Sequence, residues 1–282
     1  MSDSDILNNS ELKKILKLLI TEQKSNTIDS YFNIKEILSS IEFPIPYFVY
    51  PKGQRFVRTR VHSDGEYFFE DVHELSYRKD IQNITKFGRA NEPNQSMFYC
   101  SNDDTLSFVE TSNITRKLEN KSFEYSTNSL WIAQEDLLIV SFLSNDDIKG
   151  KNSELDFISK SFESLLLIQS DEYSISVREL LNFISKQFSS IAENDSKHYK
   201  ITCAITNYIF NNIVDVDGIL YPSSIHNEKG FNFVFKPSTV DSKLKFHLAS
   251  RRKMVFDGKK SYFETELIDS KIHQLNDSKI VW

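Results

Sequence analysis

Cysteine, proline and glycine are scarce in this chain, at two, six and seven among 282 residues. Two lone cysteines, Cys100 and Cys203, fit a reducing compartment better than a disulfide framework. Together with six scattered histidines they offer no zinc-ligand spacing such as CxxC or HExxH, so no metal site is expected. An excess of positive charge is also missing. The net charge is −6 and the pI about 5.6, which points away from direct nucleic-acid binding. Long apolar runs are absent too: "LWIAQEDLLIVSFL" is broken by charges and "ESLLLI" is too short for a bilayer, so no membrane association is expected. The opening "MSDSDILNNS" has no basic stretch followed by an apolar one, so no secretory signal is read and a cytoplasmic location is expected.

What is present suits a globular protein. Hydrophobic residues make up 39% and charged residues 26%, and the length is ample for a core without disulfides or metal. Two short basic clusters, Arg251–Arg252–Lys253 and Lys259–Lys260, are expected to be a solvated face.

The patterning mixes both periodicities. Residues 10–25 predict a helix capped by Ser10, with Leu12, Ile15, Leu16 and Leu19 on one face. "NIKEILSSI" predicts a second, ending before Pro44 and Pro46. "RFVRTRV" alternates as a strand, with Phe56, Arg58 and Arg60 on one face and Arg55, Val57, Thr59 and Val61 on the other. "SMFYCS" predicts a strand, and "NDDTLSFVETS" a short helix capped by Asn102. "SLWIAQEDLLIVSFL" holds one or two strands, residues 153–211 are mainly helical, and "VDGILYPSS" and "FNFVFKP" are strands joined around Gly230. The tail from 238 reads as mixed, with strands possible in "KLKFHLASRRKMVF" and "KKSYFETELIDSKIHQL". The expected organisation is an α+β fold: a helical N-terminal extension (1–50), a catalytic domain (51–240) and a C-terminal extension (241–282) packed on it. The N-terminal piece is expected to brace the domain.

Three of the seven glycines fall in two blocks, "FGRAN" and "DGILYPSSIHNEKGFN". A chain so sparing of glycine places it where the backbone turns sharply or a ligand comes close. The first block leads into Arg89, Tyr99 ten residues on and Glu110 twenty-one on; the second holds Ser223 and Asn232, nine apart. Singly, each has an ordinary reading: Arg89 and Glu110 as a salt bridge, Tyr99 as a core aromatic, Ser223 and Asn232 as turn residues.

Jointly, "GRAN", "FYCS", "SFVET", "DGILYPSS" and "FNFVF" resemble the RES domain, a family named for its Arg, Glu and Ser, over roughly residues 55–237. "RFVRTRV" is similar to the family's Arg-bearing first strand, with Arg58 as the counterpart. One departure is Asn94, where the family often has Gly; Asn tolerates the left-handed backbone that such a turn requires.

The resemblance implies a mixed β core like that of the ADP-ribosyltransferases, with a helical segment between the two motif blocks. It implies a toxin of a toxin–antitoxin pair that breaks the nicotinamide–ribose bond of NAD⁺, the acceptor being water or phosphate, or an ADP-ribosyltransferase acting on a macromolecule. NAD⁺ would be substrate and no other cofactor is implied. A helix-turn-helix, Xre-type antitoxin is the implied partner, in a hetero-oligomer; tight homo-oligomerisation, or activation by an infection signal, is the alternative restraint.

The chemistry suits these residue types. Cleavage develops positive charge on the ribose, which a carboxylate such as Glu110 stabilises best where water is excluded. Arg89 offers a rigid fork for the pyrophosphate or the ribose side. Tyr99 provides a ring to stack on nicotinamide. Arg58, Ser223 and Asn232 are the expected substrate-binding groups. A non-catalytic nucleotide-sensing module is the alternative from another class.

Overall fold

A computed structural model describes residues 9–25, 27–39, 45–62, 69–115, 123–143, 158, 160, 171–190, 199–223, 231–256, 262–269 and 278–282. The chain is α+β and divides into two compact units whose segments interleave along the sequence. The first contains residues 1–49, 80–95 and 138–229; the second contains 50–79, 96–137 and 230–282.

In the first unit, apolar residues at helical spacing produce two helices, α1 (Asn9–Ser25) and α2 (Ile28–Ser39). Leu12, Ile15 and Leu19 of α1 are buried, and Leu16 is half-buried. The helix already includes Asn9, so Ser10 lies inside its first turn rather than at the cap. Helix α2 starts earlier than its apolar pattern suggested. Thr27 Oγ1 accepts from the Ser30 amide at 3.3 Å and Ser30 Oγ from the Thr27 amide at 3.1 Å, a reciprocal cap that marks its start. Helix α1 packs on α4 (Asp171–Ser189) and α2 on α5 (Lys200–Asn212). Asn9 donates to Glu172 at 3.1 Å and Gln23 to Gln187 at 2.8 Å, so α1 and α4 run parallel. The unit's strands follow the order β1 (Tyr47–Tyr50), β5 (Leu137–Ser141), β6 (Gly218–Pro222), with β5 and β6 parallel. Every residue of β6 is buried.

The second unit is an antiparallel sheet in the order β7-β3-β2-β4-β8-β9. Its strands are β2 (Arg55–Val61), β3 (Phe98–Ser101), β4 (Phe123–Ala133), β7 (Phe231–Phe235), β8 (Leu244–Phe256) and β9 (Tyr262–Asp269). Helix α3 (Asp104–Thr111) follows β3, and a short α6 (Pro237–Lys243) leads into β8. Opposed residues of an antiparallel pair share a face, and alternate residues switch faces. Phe56, Phe98, Trp131, Phe233 and Phe235 therefore lie together, and all are buried with ring centroids 4.9–5.2 Å apart in the pairs Phe56–Phe235, Phe56–Phe233 and Phe98–Trp131. The opposite face carries Thr59, Tyr99, Ser101, Asn128 and Asn232.

Two local expectations change. The cap of α3 is Asp103, whose carboxylate accepts from the Leu106 amide at 2.8 Å; it lies one residue beyond Asn102 and so can reach the third helical amide. The basic run at 251–253 is not a solvated face. Arg251 is buried with its guanidinium 4.3 Å from the Tyr125 ring, Arg252 pairs with Asp104 at 2.9 Å, and Lys253 lies over Phe123 and Tyr125. The strand alternation sends these side chains to both faces of β8, where rings and a carboxylate receive them. Lys259, Lys260, the turn at Gly230 and most of 153–170 lie outside the described residues.

Candidate functional site

Glu110 and Asn232 meet in the second unit. Asn232 is buried on β7, where pairing with Ser101 fixes which way its side chain points. Glu110 is half-buried in the last turn of α3. Asn232 Nδ2 donates to Glu110 Oε1 at 3.0 Å across 122 positions of sequence, which joins the end of the first motif block to the second.

A polar seam holds α3 on this face. Thr59 Oγ1 lies 2.9 Å from Ser107 Oγ and 2.8 Å from Asn128 Oδ1, all three residues being buried. A threonine has one hydroxyl hydrogen, so Thr59 donates to the Asn128 carbonyl and accepts from Ser107. Past the helix, Ser112 and the Asn113 amide donate to buried Glu124 at 2.5 and 3.1 Å. The carboxylate-bearing helix is thus anchored along its length by directional bonds rather than by apolar contact alone. Thr59 and Asn128 were not singled out from sequence. The alternation of "RFVRTRV", which put Thr59 opposite Phe56, was the available signal.

Tyr99 is half-buried on the same face as Asn232. Arg58 is not: parity sends its side chain to the aromatic face, where its guanidinium sits 5.3 Å from the Phe98 ring. From there its Nη1 donates to the Tyr99 carbonyl at 2.9 Å, across the place where β2 and β3 part after a single paired position. Burial, with Arg60 close by, lowers its pKa from the usual arginine range to about 10. Cys100, beside Tyr99, is a buried thiol whose pKa burial pushes up, which leaves it inert.

Arg89 and Ser223 belong to the first unit. Arg89 donates to the Phe188 carbonyl and, through Nη1 and Nη2 at 3.2 Å each, to the Ser190 carbonyl. These carbonyls lie at the C-terminal end of α4, where backbone oxygens lack intrahelical donors and a cation is favoured. The guanidinium also faces the rings of Tyr199 at 5.0 Å and Tyr221 at 5.9 Å. Tyr221 belongs to the "YPS" run, so here too a residue of the first block sits beside the second. Ser223 is fully buried just after β6.

The loop that carries Arg89 is held at several points. The Gly88 amide donates to the Asn91 carbonyl at 2.8 Å and the Asn94 amide to the Ile84 carbonyl at 2.7 Å. Asn94 has φ of 62°, the left-handed conformation that this turn was expected to require. Tyr31 of α2 donates to Glu92 at 2.5 Å, and Gln95 donates to Asn207 of α5 at 2.7 Å. Burial raises the Tyr31 pKa, so the phenol stays protonated and serves as a donor.

Among the described residues no group of three His, Cys, Asp or Glu could hold a metal ion, and no helix is long and apolar enough to cross a membrane. No known protein-family model and no curated protein matches this chain.

Proposed function

We propose that this chain is an NAD⁺-cleaving enzyme of the RES type with an ADP-ribosyltransferase-like fold. The observation that carries the reading is the Asn232–Glu110 hydrogen bond, which brings together two residues singled out by their place in motif blocks more than a hundred positions apart. The contact of Arg89 with Tyr221 supports it independently within the other unit.

In this reading Glu110 stabilises the positive charge that grows on the ribose as the glycosidic bond lengthens. Asn232 orients that carboxylate, and the Thr59 seam keeps its helix seated. Neutral nicotinamide leaves from a pyridinium without being protonated, so the reaction needs a placed negative charge more than a strong acid. Tyr99 offers a ring on the same face as Asn232. Arg58, on the opposite face, acts by holding the Tyr99 backbone and not by touching the ribose. Arg89 fixes the end of α4 and Tyr221, and its grip on phosphate is proposed from the family pattern alone.

The cellular role proposed with this chemistry is that of an intracellular toxin restrained by a helix-turn-helix antitoxin, which rests on the resemblance. The test is incubation of the purified protein with labelled NAD⁺, with Glu110→Ala as control. Release of nicotinamide by the wild type and a loss of about 100-fold or more in the variant are expected, the scale of removing a principal electrostatic stabiliser. Equal release by both would overturn the reading. Label left on a discrete protein band would assign the transferase activity instead.

A further inference from the structure

Residues 278–282 pack within the second unit against residues 69–75. The Val72 amide donates to the Ser278 carbonyl and the Ile280 amide to the Glu70 carbonyl, each at 2.7 Å. An isolated antiparallel bridge joins Asp71 to Lys279, and the same two residues form an ion pair at 3.2 Å. Trp282 Nε1 donates to the Phe69 carbonyl at 2.9 Å. Ile280 is buried with Phe69, Leu75 and Ala249, and Val72, Phe246 and Trp282 pack around them.

The receiving segment in turn covers part of β2. The Phe69 ring lies 4.8 Å from the His62 ring and 5.4 Å from the Arg60 guanidinium, and Arg60 also donates to the Glu74 carbonyl. His62 accepts from or donates to Thr127 of β4 at 2.8 Å, and Arg251 of β8 acts on it electrostatically together with Arg60. Residues 69–75 are therefore held on one side by β2 and on the other by the chain's own C-terminal residues.

We propose that Ser278–Trp282 is a strap over residues 69–75 and Ala249: its release frees the 69–75 segment, and the lifting of that segment uncovers Arg60 and His62 at the end of β2. The attachment is local. Among the described residues the contacts that hold it include two backbone bonds, an indole bond, an exposed ion pair and a small apolar cluster, whereas β2 and β4 are paired over seven positions. Such a segment opens without unfolding the sheet, because local opening needs only the contacts of the opening part. The proposal does not depend on NAD⁺ chemistry.

The test is hydrogen exchange on the full chain carrying Trp282→Ala, with His62 followed by NMR titration. Exchange at the Val72 and Ile280 amides should quicken by about tenfold or more while amides of the β2–β4 ladder keep their rates. The His62 midpoint should move from about 4, where burial, Arg251 and Arg60 hold it, towards its ordinary value near 6.5. Unchanged exchange and an unchanged midpoint would overturn the proposal. So would uniform quickening through β2 and β4, which would make the segment part of the cooperative core. If Trp282→Ala fails to fold, Lys279→Asp reads the exposed ion pair: exchange about two- to fivefold faster at the same amides, restored by adding Asp71→Lys. Absence of that restoration would count against the docking geometry.

Discussion

Replacing Asn232 by Asp turns the Asn232–Glu110 hydrogen bond into a pair of carboxylates at a separation of about 3.0 Å. The donated bond is lost, and two like charges face each other. At that distance the repulsion is about 1.4 kcal/mol in a water-like medium and about 5.5 kcal/mol at an effective dielectric of 20. Glu110 is half-buried, so solvent screens part of it, and a net cost of about 2 kcal/mol at neutral pH is expected. The sign with pH follows from linkage. The pair in the folded variant holds a proton to higher pH than the same carboxyls in the unfolded chain, so the native state binds more protons and stability falls as pH rises. Below the unfolded carboxyl range, near pH 4, one shared proton relieves the repulsion and restores a donor between the two groups. Urea denaturation of wild type and Asn232→Asp at pH 4.5 and 7.5 measures it. The variant's deficit should be larger at 7.5 by about 1–2 kcal/mol, and nicotinamide release should fall most at the higher pH. A deficit independent of pH would refute the placement of Glu110 against Asn232.

Thr59→Val removes a hydroxyl that links Ser107 to Asn128, both buried, and should cost about 2–4 kcal/mol because two buried polar groups lose a partner; denaturant midpoints at constant m-value give the figure. Asp103→Ala should cost about 1 kcal/mol as a lost helix cap, and Asn102→Ala appreciably less, so a reversed order in thermal unfolding would return the cap to Asn102. His62 is held neutral with a pKa of about 4 against an ordinary 6.5, so its contribution is present above about pH 6.5 and is lost as pH falls towards 4. Between those limits the wild type should lose about 2–3 kcal/mol that a His62→Gln variant, which keeps a partner for Thr127, does not lose.

How far these features could be read in advance depended on how local their causes are. Strand β2 and the division of its residues between two faces followed from alternation alone, because a two-residue period leaves no other assignment. The strained turn at Asn94 was equally legible, since few residues accept a positive φ and the motif asked for one there. The start of α2 was misplaced because its signal is a pair of hydroxyls, Thr27 and Ser30, and not an apolar period. The basic run at 251–253 was misread for a different reason. Charge in sequence says nothing about which aromatic strand will lie beside it, and Tyr125 is 126 residues from Arg251.

The site divides along the same line. The five motif residues were visible as a set, but which of them touch depends on strand register and on the way the segments interleave. Register brings Asn232 to Glu110 and turns Arg58 away from both, although Arg58 and Thr59 are adjacent in the chain. One residue of shift in the β3–β7 pairing would exchange the faces of Asn232 and Phe233, burying an amide in the aromatic layer and exposing a phenyl ring to α3. The aromatic layer of Phe56, Phe98, Phe233 and Phe235 therefore does more than fill the core. By making that slip costly, it fixes the hydrogen bond on which the proposed chemistry depends.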